Sequence, residues 1–520
     1  MRKWNVVALC LAFGFIASPI VTAQSNDDLR REVEQLKRDL KTVMNQNQRV
    51  LADNAELRAT TEDSSLEERV NALAESLDYA AGTTVNSVAN PVTLSGEFRA
   101  RSGYSHNRNF NDDDDEGTYT DARFRVGMTF DFSRDVTAHF EMQANGLYNN
   151  GDTPASNGNL SDIDLYQGWI LMRNLFGRKE LSSKTGRQEI VLGNEFIFGD
   201  NDFFSGETFD ATHWLWSSDN FDVHLIFAKL GAANDAAFST RNHPYTPAGN
   251  GNRSGGFDDD EMYSLYFTLK SIENHTLDLF WVYMNGDNLG TAVGTQGNAI
   301  TPGKAVYHTV GLSLRGMFGV AAGLDYALNF AYQFGDFDSA TTANGLPEDV
   351  KGLALEAEVG ITFNADNNFR VFLRFLWSEG RDGNDSGYIP LFMETHSNEG
   401  YRARYGLMDI IPVANVITLQ GGLHFDPNAD WTIGATVIWA TTDEDVVIAG
   451  QNEDKLGWEI DLFAEYRYSA ETTLGAGVGI FLPDDATPTI GGGVAGRDDD
   501  IAWLFYLQSR GLSADQARLM

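Results

Sequence analysis

From Lys455 to Leu482 the chain reads KLGWEIDLFAEYRYSAETTLGAGVGIFL. Trp458, Ile460, Leu462, Ala464, Tyr466 and Tyr468 share one parity, and Glu459, Asp461, Glu465 and Arg467 the other, so a strand here carries an apolar face and a charged face. Phe463 alone breaks the alternation. After a short Ser-Ala-Glu turn, Leu474, Ala476, Val478 and Ile480 alternate with Gly475, Gly477 and Gly479, which predicts a hairpin. Each arm runs for about twelve residues, against about five or six in a soluble sandwich, and about ten suffice to cross roughly 25 Å of hydrocarbon at a tilt of about 40°. Trp458 at one end and Tyr466 and Tyr468 at the other stand where interfacial aromatics belong.

The same rhythm predicts eighteen strands, near 92–104, 117–131, 135–148, 161–176, 184–193, 205–216, 220–231, 259–272, 275–286, 305–316, 321–335, 350–363, 368–378, 415–426, 430–442, 455–469, 471–482 and 499–509. Connections after even-numbered strands are short and those after odd-numbered strands long and polar. That asymmetry, with an even count, is the plan of an outer-membrane barrel whose two ends lie in the periplasm. The expected fold class is therefore all-β, a transmembrane antiparallel β-barrel over residues 92–510 with a tail at 511–520.

The segment ahead of the barrel reads differently. Residues 1–23 have the basic start (Arg2, Lys3), apolar stretch and Val21-Thr22-Ala23 end of a signal peptide. In residues 24–79, Leu29, Val33, Leu36, Leu40, Val43, Asn47, Val50, Asn54 and Leu57 recur at alternating spacings of four and three, and the seam restarts out of phase at Leu66. A self-associating periplasmic coiled coil fits this spacing, as does a solvated single helix or a bundle folded back on itself. Residues 80–91 form a small-residue linker.

Charge and composition narrow the chemistry. A formal net charge of −36 argues against nucleic acid, whose phosphates would be repelled. The single cysteine, Cys10, lies in the leader, so disulfide and thiol chemistry lapse for residues beyond it. The glycines of GAGVGIF lie on one face of a strand with no helix following, which excludes a phosphate cradle, and DDDDEG has Arg123 at the twelfth position of a would-be EF-hand. No Ser-His-acid set is identifiable. No enzyme, cofactor or metal is expected.

With the apolar rows (Phe124, Val126, Met128, Phe130; Leu353, Leu355, Val359) given to lipid, the opposite rows must line the lumen, since a charge at the bilayer midplane costs about 2–4 kcal/mol. Those rows hold Arg99, Arg101, Arg123, Arg125, Arg370, Arg374, Glu459, Asp461 and Arg467. Arg99 with Arg101, beside Arg123 with Arg125, make the best local anion-attracting patch. Cross-strand pairing of wall charges is the plainer reading of the same residues. The longest connection, Glu379 to Ala414, carries Arg402 and Arg404; it could fold inward as a constriction or lie outside.

The stretch from Asp164 to Trp216 holds LYQGWILMRNL, then TGRQEIVLGNEFIFGDNDFF, then TFDATHWLW. With the closing strands LGWEIDLFAEYRYSAETTLGAGVGIF and IAWLFYLQSRGL, it resembles the alginate-export family of outer-membrane barrels over roughly residues 92–510. The resemblance implies an eighteen-stranded monomeric barrel passing an anionic polysaccharide, with Arg187, Glu189 and Asp210 in its lumen. The coiled coil departs from the exporter pattern, and the lumen holds as many carboxylates as arginines. The expected function is passive conduction of a hydrophilic solute; the alternatives are a general porin for small solutes and a tethering protein whose coiled coil binds another copy or peptidoglycan.

Overall fold

A computed structural model describes residues 92–107, 110, 116–148, 163–202, 206–231, 260–286, 305–318, 323–337, 349–364, 367–395, 404–448, 451–487 and 500–512. The signal peptide, coiled coil, linker and tail lie outside the described residues.

Eighteen strands follow in order: β1 (Val92–His106), β2 (Glu116–Asp131), β3 (Val136–Tyr148), β4 (Ile163–Met172), β5 (Leu181–Gln188), β6 (Phe209–Ser217), β7 (Phe221–Gly231), β8 (Asp260–Leu269), β9 (His275–Gly286), β10 (Ala305–Phe318), β11 (Leu324–Phe337), β12 (Asp349–Asn364), β13 (Phe369–Ser378), β14 (Val416–Asn428), β15 (Trp431–Ile448), β16 (Gln451–Arg467), β17 (Thr472–Pro483) and β18 (Ala502–Leu512). Each pairs antiparallel with its sequence neighbours, and β1 pairs with both β2 and β18. The sheet closes on itself, which leaves no unpaired edge, the condition for strands in lipid.

Two predicted strands end early by four residues or more, for local reasons. The fourth stops at Met172 because Asn174 and Phe176 adopt left-handed φ values of 53° and 54°, turning the chain through Leu175–Gly177. The fifth stops at Gln188, and the following Ile190 to Gly193 leave the wall.

Burial is inverted relative to a soluble protein. Large apolar side chains are exposed on the outer face, among them Leu225, Leu279, Leu373, Leu462 and Leu507, while Glu97, Arg99, Arg123, Glu356, Glu459 and Asp461 are buried on the inner one. Outer aromatics band the strands near both ends. Toward the long-loop end, Tyr263, Tyr283, His308 and Phe334 form a chain of rings with centroids 5.0–6.0 Å apart. Toward the short-turn end, Trp431 lies 4.9 Å from Tyr466.

Phe463, the exception to the alternation, sits on the inward row opposite Gly434, and its ring occupies the space a Cβ there would need. Tyr506 covers Gly477 in the same way. The inward glycines are thus sockets for rings on adjacent strands.

Leu462 lies in the outward row of β16 and is 53% exposed. Leu462→Arg should lower unfolding free energy in lipid vesicles by about 2–4 kcal/mol. Glu465→Gln, on the inward row, should leave it nearly unchanged; equal costs in a denaturant titration would contradict the assignment of faces.

Candidate functional site

The residues that fill the lumen come from two connections that sequence periodicity treats as loops. The β5–β6 connection contains IVLGNEFIFGD, too apolar for a solvated loop, and Ile190, Phe196, Ile197 and Phe198 are each no more than 2% exposed. The β13–β14 connection buries Tyr388, Ile389, Leu391, Phe392, Met393 and Met408. These side chains pack with inward residues of the wall (Met262, Phe280, Met284, Tyr307, Phe481) in one apolar cluster. The β13–β14 connection therefore folds inward, one of the two courses left open by its sequence.

The two connections are joined to each other. Gly199 N donates to Phe392 O at 2.6 Å, Phe392 N to Ile197 O at 3.1 Å and Glu394 N to Glu195 O at 2.9 Å. The Phe392 ring stacks on Phe198 at 5.9 Å and meets Phe209 edge-on at 4.7 Å. Any Cβ on Gly199 would collide with Glu394, so this close approach requires glycine.

The joined loops are anchored on three parts of the wall. First, Asp202 accepts from Arg125 Nη1 at 2.9 Å and Nη2 at 2.6 Å and from Arg123, while Arg99 Nη1 donates to its carbonyl at 3.1 Å. Glu97 takes Arg123 at 2.8 Å and Arg510 of β18 at 3.0 Å. Second, Glu356 of β12 receives Arg404 Nε at 3.0 Å and the Tyr405 hydroxyl, and Gln333 of β11 bonds both the N and O of Ile389. Third, Glu459 and Asp461 of β16 accept from the N–H groups of Met408 and Leu407 at 2.8 and 3.3 Å.

The predicted arginine patch is thus assembled and then covered. Arg99 and Arg123 have no exposed surface, and Arg101 donates to Gln508 at 3.0 Å with its guanidinium 3.8 Å above Tyr506. Four guanidinium groups crowded on one wall demand anions, and the chain supplies them from Glu97 and a loop carboxylate. Burial works against ionised Asp202, but Arg123, Arg125 and Arg99 together outweigh it and hold its carboxyl well below the usual range.

At other loop carboxyls nearby, burial and neighbouring acids outweigh the arginines. Glu189, bonded by the Tyr166 hydroxyl at 2.5 Å, is pushed up to about 7 by burial and by Asp202. Half-buried Glu207 is pushed up to about 8 by burial and by Asp200, and burial and neighbouring acids also raise Asp200 and Glu195. Carboxylate oxygens of Glu195, Asp200 and Glu394 lie within 4.8 Å of one another, the one group of metal-ligating geometry among the described residues.

Arg370 and Arg374 of β13 lie on the inner wall. Arg370 reaches Asp325 at 3.0 Å and Glu358 at 2.6 Å, and Arg374 Nε reaches Glu358 at 2.8 Å. These four side chains retain between 15 and 24% exposure. Phe372 stands between the two guanidinium groups, 5.3 and 5.6 Å away.

Arg187 and Asp210 correct the expectation that they face the lumen. They pair in register on β5 and β6, bonded at 2.8 Å, but Asp210 stands between the buried Phe209 and Ala211 and so belongs to the outer row. Glu189 stays inside because it follows the end of β5, where strand parity no longer applies. Arg467 donates to Ala429 O at 2.7 Å at a short turn, and Arg402 is outside the described residues.

Comparison with known proteins agrees with this architecture. The solved structures of OccK8 (OprE) from Pseudomonas aeruginosa and OccAB2 from Acinetobacter baumannii are similar at TM-scores of 0.50, with 12% and 9% identity. Each match covers 81% of this chain and 98% of the other, and identity this low speaks for the fold alone. Among curated proteins no relative matches. The family model described as alginate export matches residues 90–496, the whole barrel except its last strand. This chain, an outer-membrane β-barrel, belongs to the alginate-export family.

Proposed function

We propose that this protein is a passive channel in which the joined loops restrict the lumen and the charged wall selects a hydrophilic solute. The observation that carries the reading is the row Asp325, Arg370, Glu358 and Arg374. Ion pairs left partly wet on an inner wall contribute little stability, and apolar residues would fill the space as well. Guanidinium groups placed there can exchange an internal carboxylate for one on a passing solute, with the same bidentate geometry.

An anionic polysaccharide, the cargo named by the family's description, fits that exchange. The solute is moved and not transformed. A route for small hydrophilic solutes of either sign is the second reading, favoured by the equal numbers of carboxylates and arginines in the row. Residues 1–23 acting as a leader and residues 24–79 as a periplasmic coiled coil, touching a second copy or peptidoglycan, complete the proposal.

In planar bilayers, replacing Arg370 and Arg374 with Ala should leave Asp325 and Glu358 without their cations. The reversal potential in a salt gradient should then shift toward cation preference; an unchanged potential would make the row ordinary wall.

Asp202→Ala removes the acid shared by Arg123 and Arg125, and losing one partner of a buried pair costs about 3–5 kcal/mol. Single-channel conductance should rise severalfold with stronger anion preference, because the loops undock and the arginines meet water. Lower conductance in a folded variant would argue that the loops do not restrict the pore.

Loop docking should also weaken as pH rises. Docked Glu189 and Glu207 hold protons more tightly than carboxyls at their ordinary value of 4.5, up to about 7 and about 8. Their support for docking is therefore complete below that ordinary value and is lost as pH climbs through about 7 and 8. Asp202 has the opposite sign, and its support disappears only in strong acid. Open probability recorded across this window should increase with pH; a decrease would refute the assignment.

A further inference from the structure

The third anchor of the loops differs from the other two. At the first and second, a carboxylate meets arginine. At the third, two acids of one strand, Glu459 and Asp461, lie side by side on the inward row of β16 at 0% and 2% exposure. Met408 N donates to Glu459 Oε1, and Leu407 N and the Thr436 hydroxyl donate to Asp461 Oδ2. The remaining oxygens, Glu459 Oε2 and Asp461 Oδ1, are buried and receive a hydrogen bond from no donor among the described residues.

Among the described residues no cation pairs with either acid. On the loop, the charged neighbour of the pair is Asp409, another acid. From β15 the pair is met by Thr436, and at β17 Asp461 lies against Gly479, neither of them charged. The loop backbone is pressed on the pair: a Cβ at Gly406, where φ is 111°, would fall 2.4 Å from Glu459 Oε1. Adjacent buried carboxylates repel when both are ionised, and two backbone N–H groups and one hydroxyl do not balance two full charges.

One proton resolves both difficulties. Placed on either acid, it leaves a single negative charge and gives one orphan oxygen an O–H with which to serve the other. We propose that Glu459 and Asp461 share one proton, and that this shared proton latches the Gly406–Met408 turn to the barrel wall. When the proton leaves to lumen water, the two carboxylates separate and the turn is released. The latch concerns how the loop is held, whatever solute the lumen passes.

The test reads the loop directly. Ile410, next to the turn and 5% exposed, is replaced by Cys in a full-length chain carrying Cys10→Ser, and the protein is inserted in lipid vesicles. Labelling by a charged maleimide is followed between about pH 5 and pH 9, with and without Glu459→Gln, whose amide supplies a permanent donor to Asp461. The ratio of the two rates cancels the intrinsic titration of the thiol and the response of the other loop carboxyls. We expect the ratio of native to Glu459→Gln labelling to climb with pH, by at most about tenfold per pH unit for one linked proton. A flat ratio overturns the proposal. Asp461→Asn, which supplies the donor from the other side, should reproduce the Gln variant; wild-type pH dependence in a folded Asn variant would likewise overturn it. Heat-modifiable gel mobility confirms that each barrel is folded, and because labelling needs no ion flow, the outcome is independent of whether the channel conducts.

Discussion

Charge removed from water has to be met by opposite charge or by a hydrogen-bond donor, and this requirement organises the inside of the barrel. The lipid-facing row forces the ionic residues of each strand inward, where eighteen strands enclose more space than wall side chains can fill. What fills that space is a pair of chain connections that bring their own acids and bases. Asp202 goes to the arginines of β1 and β2, Arg404 to Glu356 on β12, and two backbone N–H groups to the acids of β16. Apolar packing supplies the bulk of the contact, and these polar anchors fix its register against the wall.

The outcome is a lumen of two characters. Around the loops it is packed like the core of a soluble protein, with Phe198, Tyr388 and Met408 shielded from solvent. Along β11 to β13 it is wetter, and Arg370 and Arg374 sit among carboxylates that remain within reach of water. A pore with a packed layer and a hydrated charged wall restricts flow by geometry in one place and by field in another.

The barrel was legible in the sequence because lipid imposes a two-residue period that short-range pattern captures, and because turn length distinguishes its two ends. All eighteen strands lie where alternation puts them, most of them to within three residues at either end. The fourth and fifth deviate where a left-handed Asn174 and an inward turn after Gln188 override the pattern. The site was far less legible. Parity gives the face of Arg123 but not that a carboxylate from a loop near residue 200 will cover it, since that contact depends on closure of the whole ring. The lumen position implied by the family resemblance fails for Arg187, which pairs with Asp210 on the outer row. The apolar run Ile190, Phe196, Ile197 and Phe198 was the available clue, because a solvated loop has no use for such residues.

The seam between β1 and β18 carries a consequence for biogenesis. Glu97, on the first strand, is bonded both by Arg123 of the second and by Arg510 of the last, and Arg101 is held by Gln508. The bed on which Asp202 lands is therefore complete only once the final segment of polypeptide has been made and zipped to the first. Closing the ring and docking the interior layer therefore draw on the same few side chains, because Glu97 ties Arg123, a partner of Asp202, to Arg510 at the seam.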